Sequence, residues 1–304
     1  MAWDIVYRDA AVVGGGTLPE YGWELTTSNT GLARLGIDGE SLPIYTGPDL
    51  VPAGTTISLK KITNVELFCH LGNITIDRCL FKPSDASDRN GLLYGYNPDY
   101  ASGQLGPVTV QDCDFNCSEV ASPYVYSVSA TRGALNVLRC NIWGMGTGIA
   151  HFGYPGEGST LIEHNYVHDL RAGLYGPGPE MSHNEAGTIR GYTGSSLIWR
   201  KCKLISNSGS DSGALFIQTY DSNISNVLVE DNYFETPNYG LRLRAEYGHT
   251  YSAMSSNNNR FGPCGYGPAE TYNGPGWASW TNNYGYNGSN PPTYAGASVP
   301  VPNP

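Results

Sequence analysis

Short apolar runs recur along this chain with one internal order: an apolar residue, two polar residues, Cys or Asn, a variable residue, then an apolar residue. The pattern is plain in Ile76-Asp77-Arg78-Cys79-Leu80-Phe81, Val110-Gln111-Asp112-Cys113-Asp114-Phe115 and Val137-Leu138-Arg139-Cys140-Asn141-Ile142. It returns in Ile162-Glu163-His164-Asn165-Tyr166-Val167, Trp199-Arg200-Lys201-Cys202-Lys203-Leu204 and Val229-Glu230-Asp231-Asn232-Tyr233-Phe234. A weaker tail follows in Asn257-Asn258-Asn259-Arg260-Phe261 and Trp280-Thr281-Asn282-Asn283-Tyr284. With the Cys or Asn as marker, successive gaps are 34, 27, 25, 37, 30, 27 and 24 residues. Three short strands and their turns need roughly 20–25 residues, so the longer gaps must carry insertions.

Self-similarity at this period signals stacked coils in which like residues fall above one another. The expected fold is all-β: a right-handed parallel β-helix of about eight coils. The repeated Cys or Asn then forms an inward column at a bend, where stacked amides hydrogen-bond along the axis and a thiol fills the same small space. A second strand begins near a glycine in most coils, at Gly91, Gly148, Gly187, Gly213 and Gly240. In the last of these, Leu241 and Leu243 alternate with Arg242 and Arg244, the period of a strand with one buried face, which turns the arginines outward.

The ends depart from the repeat. Residues 1–58 lack the marker and read as an N-terminal cap or attachment segment, which a solenoid needs to hide its first open edge. Residues 59–286 make the helix, and residues 287–304, rich in proline, read as an extended tail that does not pair in a ladder.

Composition narrows the partners. Among 304 residues there are 39 Gly and 20 Pro but only 14% charged residues, which suits many turns and short strands better than helices. A net charge of −10, from 17 basic against 27 acidic residues, opposes attraction to nucleic acid or anionic lipid. No window approaches 18 consecutive apolar residues, and the first residues lack the basic start and apolar run of a secretion signal, so no membrane span and no signal peptide are expected. The seven cysteines include no CxxC pair, which argues against a zinc site and for free buried thiols; no metal and no cofactor are expected.

The stretch Asn29-Thr30-Gly31 through Val51-Pro52-Ala53-Gly54-Thr55-Thr56, the repeat continuing as Ile162 to Leu170, then Gly191 to Ile198 and Ile224 to Asn232, resembles the pectate-lyase-like β-helix proteins. The likeness covers about residues 29 to 285 and is nearest to minor tail or virion-surface proteins of bacteriophages of actinobacteria. It implies a virion protein made in the host cytoplasm, partnered by other virion proteins and a host cell-surface glycan, and able to form a homotrimer. Where relatives carry His-x-Asp-Gly-Ile-Gln, this chain has His183, Glu185 and Arg190 within Met181 to Arg190. The paired-Asp and Gly-His-Gly signatures of polygalacturonases are missing, as is the dense Asp cluster that holds calcium in pectate lyases.

A site on such a fold must gather polar groups from several coils on one face. The coils from His151 to His249 supply His151, His168, Asp169, Asp211, Asp221 and Glu246 besides the residues that follow. His183, Glu185 and Arg190 are the candidate catalytic set, since a carboxylate and a histidine beside an arginine could bind an acidic sugar and abstract its α-proton. Arg242, Arg244, Gln218, Tyr192, Tyr220 and Tyr247 are the candidate ligand-binding set. The chain has 22 Tyr and 6 Trp, more than a narrow core needs, and such rings stack on sugars or line protein interfaces. Three functions compete: glycan recognition by a virion protein, a polysaccharide lyase or glycosidase acting on host surface polysaccharide, and a ligand-free capsid decoration protein.

Overall fold

The computed structural model describes residues 16–63, 66–85, 90–96, 103–121, 124–154, 156–173, 182–206, 212–289 and 294–304. Strands dominate, and they form three long sheets whose neighbouring strands run parallel except for the last pair of the second sheet. The first, of nine strands, runs from Thr56–Ser58 to Ser279–Thr281. The second, of ten, runs from Lys61–Ile62 to Ala295–Ser298, and the third, of eight, from Leu67–Phe68 to Gly267–Tyr272. The chain visits the three in turn, an arrangement consistent with a parallel β-helix and not with a closed barrel. No helix is long and apolar enough to cross a membrane among the described residues.

Register makes the core a set of columns. In the first sheet Ile57, Ile76, Val110, Val137, Ile162, Trp199 and Val229 are successive partners and all buried. In the second, Phe81, Phe115, Ile142, Val167, Leu204, Phe234 and Phe261 repeat the pattern, with the Phe81 and Phe115 rings stacked at 4.3 Å. The third sheet thins at Gly187 between Ile149 and Leu215, because a Cβ there would stand 2.4 Å from the Trp199 ring. Stacking like on like buries one face of the strands through the middle of the stack without any helix to cover it.

The polar half of the sequence repeat shapes the bend from the first sheet to the second. Arg78, Asp112, Arg139, His164, Lys201, Asp231, Asn258 and Asn282 all have φ between 52° and 58°, and each immediately precedes a marker residue. Left-handed backbone costs a non-glycine residue about 1 kcal/mol, and the marker supplies compensation. Cys140 N–H donates to Asn165 Oδ1 at 2.9 Å, Cys202 N–H to Asn232 Oδ1 at 2.9 Å, Asn232 N–H to Asn259 Oδ1 at 3.0 Å and Asn259 N–H to Asn283 Oδ1 at 3.0 Å. Each amide also donates back to the preceding rung, as Asn165 Nδ2 does to Val137 O and Asn232 Nδ2 to Trp199 O. Where the marker is Cys, the thiol takes the same place with longer contacts: Cys79 N–H meets Cys113 Sγ at 3.3 Å, and Cys202 Sγ meets Ile162 O at 3.8 Å. All seven cysteines are free thiols, six of them buried, and burial pushes Cys202 up to about 12.

The N-terminal residues 16–44 lie lengthwise on the outer side of the second sheet. Trp23 covers Arg260, Leu25 O accepts from Lys203 Nζ, Leu32 N–H donates to Asp114 Oδ1, and Arg34 pairs with Asp112. Pro19 O meets His164 Nε2 at 2.9 Å, and Glu40 pairs with Lys61 and Lys82. These contacts span eight strands of the second sheet, from Lys61–Ile62 to Arg260–Cys264. Ile44 and Leu50 then form parallel bridges to Lys61 and Phe68. Residues 1–15 of the expected cap lie outside the described residues. At the other end, Ala295–Ser298 pairs antiparallel with Tyr284–Tyr286, although residues 287–304 were expected to remain unpaired. The reason is local: the prolines flank the run Tyr294-Ala295-Gly296-Ala297-Ser298-Val299 and none falls inside it, so every amide of the run can donate.

One of these contacts makes stability depend on pH. Burial pushes the Asp114 carboxyl up to about 6, against the opposing Leu32 N–H. A folded value above the unfolded one near 4 means that the folded protein holds more protons between them, so this group's contribution falls as pH rises from about 4 to 6. Asp114→Asn is therefore expected to be more stable than the parent at pH 7.5 by about 1–3 kcal/mol, with the difference closing by pH 4. Urea unfolding of both proteins at several pH values checks this, and a gap independent of pH would refute it.

Candidate functional site

The outer face of the third sheet is built by residues that alternate with its core column. Register stacks Arg132, Ala150, Thr188, Phe216, Arg242 and Glu270 on successive strands, and beside them Gln218, Arg244 and Tyr272. Ala150 and Thr188 are small where the flanking positions are long. A cavity of about 320 Å³ opens above them, with Ser129 and Thr147 completing the floor. Its walls come from Tyr126, Phe152 and the segment from Ser182 to Arg190, and Asn90 closes one end.

His183, Glu185 and Arg190 all line this cavity, so the structure brings the candidate catalytic set together. Glu185 is buried, and that burial raises its carboxyl above the ordinary range, opposed by the charges of Arg190, His183 and Arg242. His183 is exposed at the rim. The Arg190 guanidinium lies between the Phe152 ring, 5.6 Å away, and the Tyr220 ring at 5.2 Å, and its buried Nε has no hydrogen-bond acceptor. Arg132 also stands over Phe152, at 4.9 Å, and donates to Tyr96 Oη at 3.2 Å and Asn90 O at 3.3 Å. Among the described residues no carboxylate comes within ion-pair distance of Arg132 or Arg190. The nearby Asp221 is itself raised by burial, with Arg190, Arg132 and His249 pulling it back.

Below the cavity the arginines are neutralised. Arg242, buried, pairs with Glu270 and sits over Phe216 at 4.9 Å and Tyr239 at 5.6 Å. Arg244 pairs with Glu246 at 3.2 Å and lies 5.0 Å over Tyr272. Tyr220 and Tyr247, 45% and 71% exposed, meet edge to face at 4.8 Å and form an open aromatic platform. Gln218 is buried and donates to Thr188 Oγ1 at 3.4 Å, bracing the cavity floor.

Tyr192, His151 and His168 do not join this face. Tyr192 is fully buried, its hydroxyl donating to Gly158 O at 2.9 Å and accepting from Ser196 N–H at 2.8 Å. His151 turns inward beside Glu157, 3.2 Å away. His168 belongs to the second sheet, held by Asp169 at 2.6 Å and Asn141 at 3.0 Å. Asp211 lies outside the described residues. Among the described residues no three His, Cys, Asp or Glu side chains gather in a way that could hold a metal.

Sequence reasoning missed Arg132 and Phe152. Its rule for the second strand required a leading glycine, whereas Ser129–Arg132 begins with serine. The alternation of Ser129 and Thr131 with Ala130 and Arg132 was the only signal there, and it is weak. Phe152 follows its strand and aligns with nothing in the repeat.

Compared with known proteins, the chain matches no family model, no curated protein and no solved structure.

Proposed function

We propose that this chain is a right-handed parallel β-helix of about eight coils that recognises a glycan on the flank formed by its third sheet. The observation that carries the reading is the cavity in which two guanidiniums without carboxylate partners among the described residues, Arg132 and Arg190, stand beside serine and threonine hydroxyls and the Phe152 ring. Guanidinium forks suit carboxylate, sulfate or phosphate substituents, hydroxyls suit sugar hydroxyls, and rings suit the apolar faces of pyranoses. The resemblance described above extends the proposal: a minor tail or surface protein of a virion, attached through its terminal segments and presenting this flank to the host envelope. Calorimetric titration with acidic and neutral envelope polysaccharides tests the binding. Micromolar affinity for an acidic polymer, weakened at least ~10-fold by Arg190→Ala, supports it; no heat with any polymer overturns it.

A second reading rests on Glu185. A buried carboxyl with a raised proton affinity, beside a histidine and an arginine, is suited to general acid or base work. As a polysaccharide lyase the site would take the proton from the carbon next to a uronic carboxylate, form a C=C bond and expel the glycosidic oxygen. The bound polymers can be followed for unsaturated product and for new reducing ends. Activity that survives Glu185→Gln and His183→Ala would remove this assignment while leaving the binding proposal intact.

A further inference from the structure

The charge distribution along the third sheet divides the face into two unlike parts. At the cavity, Arg132 and Arg190 have no ion-pair partner among the described residues, and the nearby Glu185 carboxyl, buried in the cavity wall, makes no ion pair with either of them. Two strands further along the stack Arg242 is matched by Glu270 and Arg244 by Glu246. The two parts are continuous: Arg190 lies against Tyr220, Tyr220 against Tyr247, and the exposed Tyr272 follows under Arg244. Three strand spacings separate the rung of Gly187–Ile189 from that of Gly267–Tyr272, about 14 Å, enough for several linked sugar rings.

Resting on the glycan reading, we infer that the ligand is a mixed chain, one acidic sugar held in the cavity by Arg132 and Arg190 and neutral sugars laid over Tyr220, Tyr247 and Tyr272. A polymer with an acid on every unit fits poorly. Its later carboxylates would fall beside Glu246 and Glu270, where each cation already has a partner, and would lose water without gaining a counter-charge. The neutral units lose little there, because a tyrosine face rewards a pyranose through contact alone.

The test uses the full chain and three oligosaccharides of equal length: a neutral chain, the same chain with a single terminal uronic acid, and a polyuronate. The expected result is binding of the singly acidic chain at least ~10-fold tighter than either of the others. Arg132→Gln with Arg190→Gln should remove that preference and flatten the salt dependence. Tyr247→Ala, fully outside the core, should weaken the singly acidic chain while leaving its salt dependence unchanged. Glu246→Gln should selectively improve the polyuronate by removing a carboxylate that repels it beside Arg244. A polyuronate that binds as tightly as the singly acidic chain overturns this inference and leaves glycan recognition standing. Silence with all three probes overturns both, and stronger binding of an acidic peptide such as polyglutamate overturns the saccharide class.

Discussion

Asn232→Leu will lower the unfolding free energy by about 3–5 kcal/mol. The side chain is completely buried, and a leucine of similar size fills its space while leaving its polar neighbours bare. Cys202 N–H loses its acceptor at 2.9 Å, Trp199 O loses a donor at 2.9 Å, and Asn259 Oδ1 loses another at 3.0 Å. A buried polar group stripped of its partner costs about 1–3 kcal/mol. Asn232→Cys should cost far less, since four rungs already place a thiol at this step, at Cys79, Cys113, Cys140 and Cys202. Urea denaturation with both variants decides the matter. Equal losses would mean that volume, not hydrogen bonding, governs the column.

Asp112→Ala is expected to cost a similar amount, about 3–5 kcal/mol, for an electrostatic reason. Asp112 is 1% exposed and accepts from Arg34 and, at 2.9–3.2 Å, from Arg139. Removing it leaves two guanidiniums in a largely desolvated corner with no counter-charge. The Arg34 and Arg139 side chains are only 6% and 14% exposed, so neither can turn fully to water without moving backbone. Adding Arg34→Met and Arg139→Met to the alanine variant should recover most of the loss, because hydrophobic replacement of a whole buried ionic cluster is often neutral or better. Thermal and urea unfolding of the single and triple variants measure both effects. A single variant as stable as the parent would show that the cluster contributes nothing.

The marker column was legible because it rests on nearest-neighbour chemistry. An in-register stack repeats its local constraints at each turn, so Cys79 through Asn283 announced themselves by spacing alone. The left-handed residue before each marker was visible as a polar position, but its conformation was not, since Arg78, Arg139 and Lys201 are not residue types that favour positive φ. The cavity was half legible. His183, Glu185 and Arg190 sit close together in sequence, whereas Arg132 and Phe152 enter through register between distant segments, which no local pattern encodes. Tyr192 shows the reverse failure: a tyrosine in a glycine-rich loop read as a surface ring, yet the loop folds its phenol inward to satisfy Gly158 and Ser196. The lengthwise run of residues 16–44 left no periodic trace, because its partners are spread one per rung along the second sheet.

That run changes how the stack should come apart. A bare solenoid loses its turns one after another from an end, since each touches only its neighbours. Here a single stretch of chain is tied at Arg260, Lys203, Asp114, Asp112 and Lys61, far apart along the axis. Turns at one end cannot peel away while the clasp still holds those in the middle. Fraying is thereby expected to give way to a more nearly all-or-none transition, as a buckled strap holds until its fastening fails.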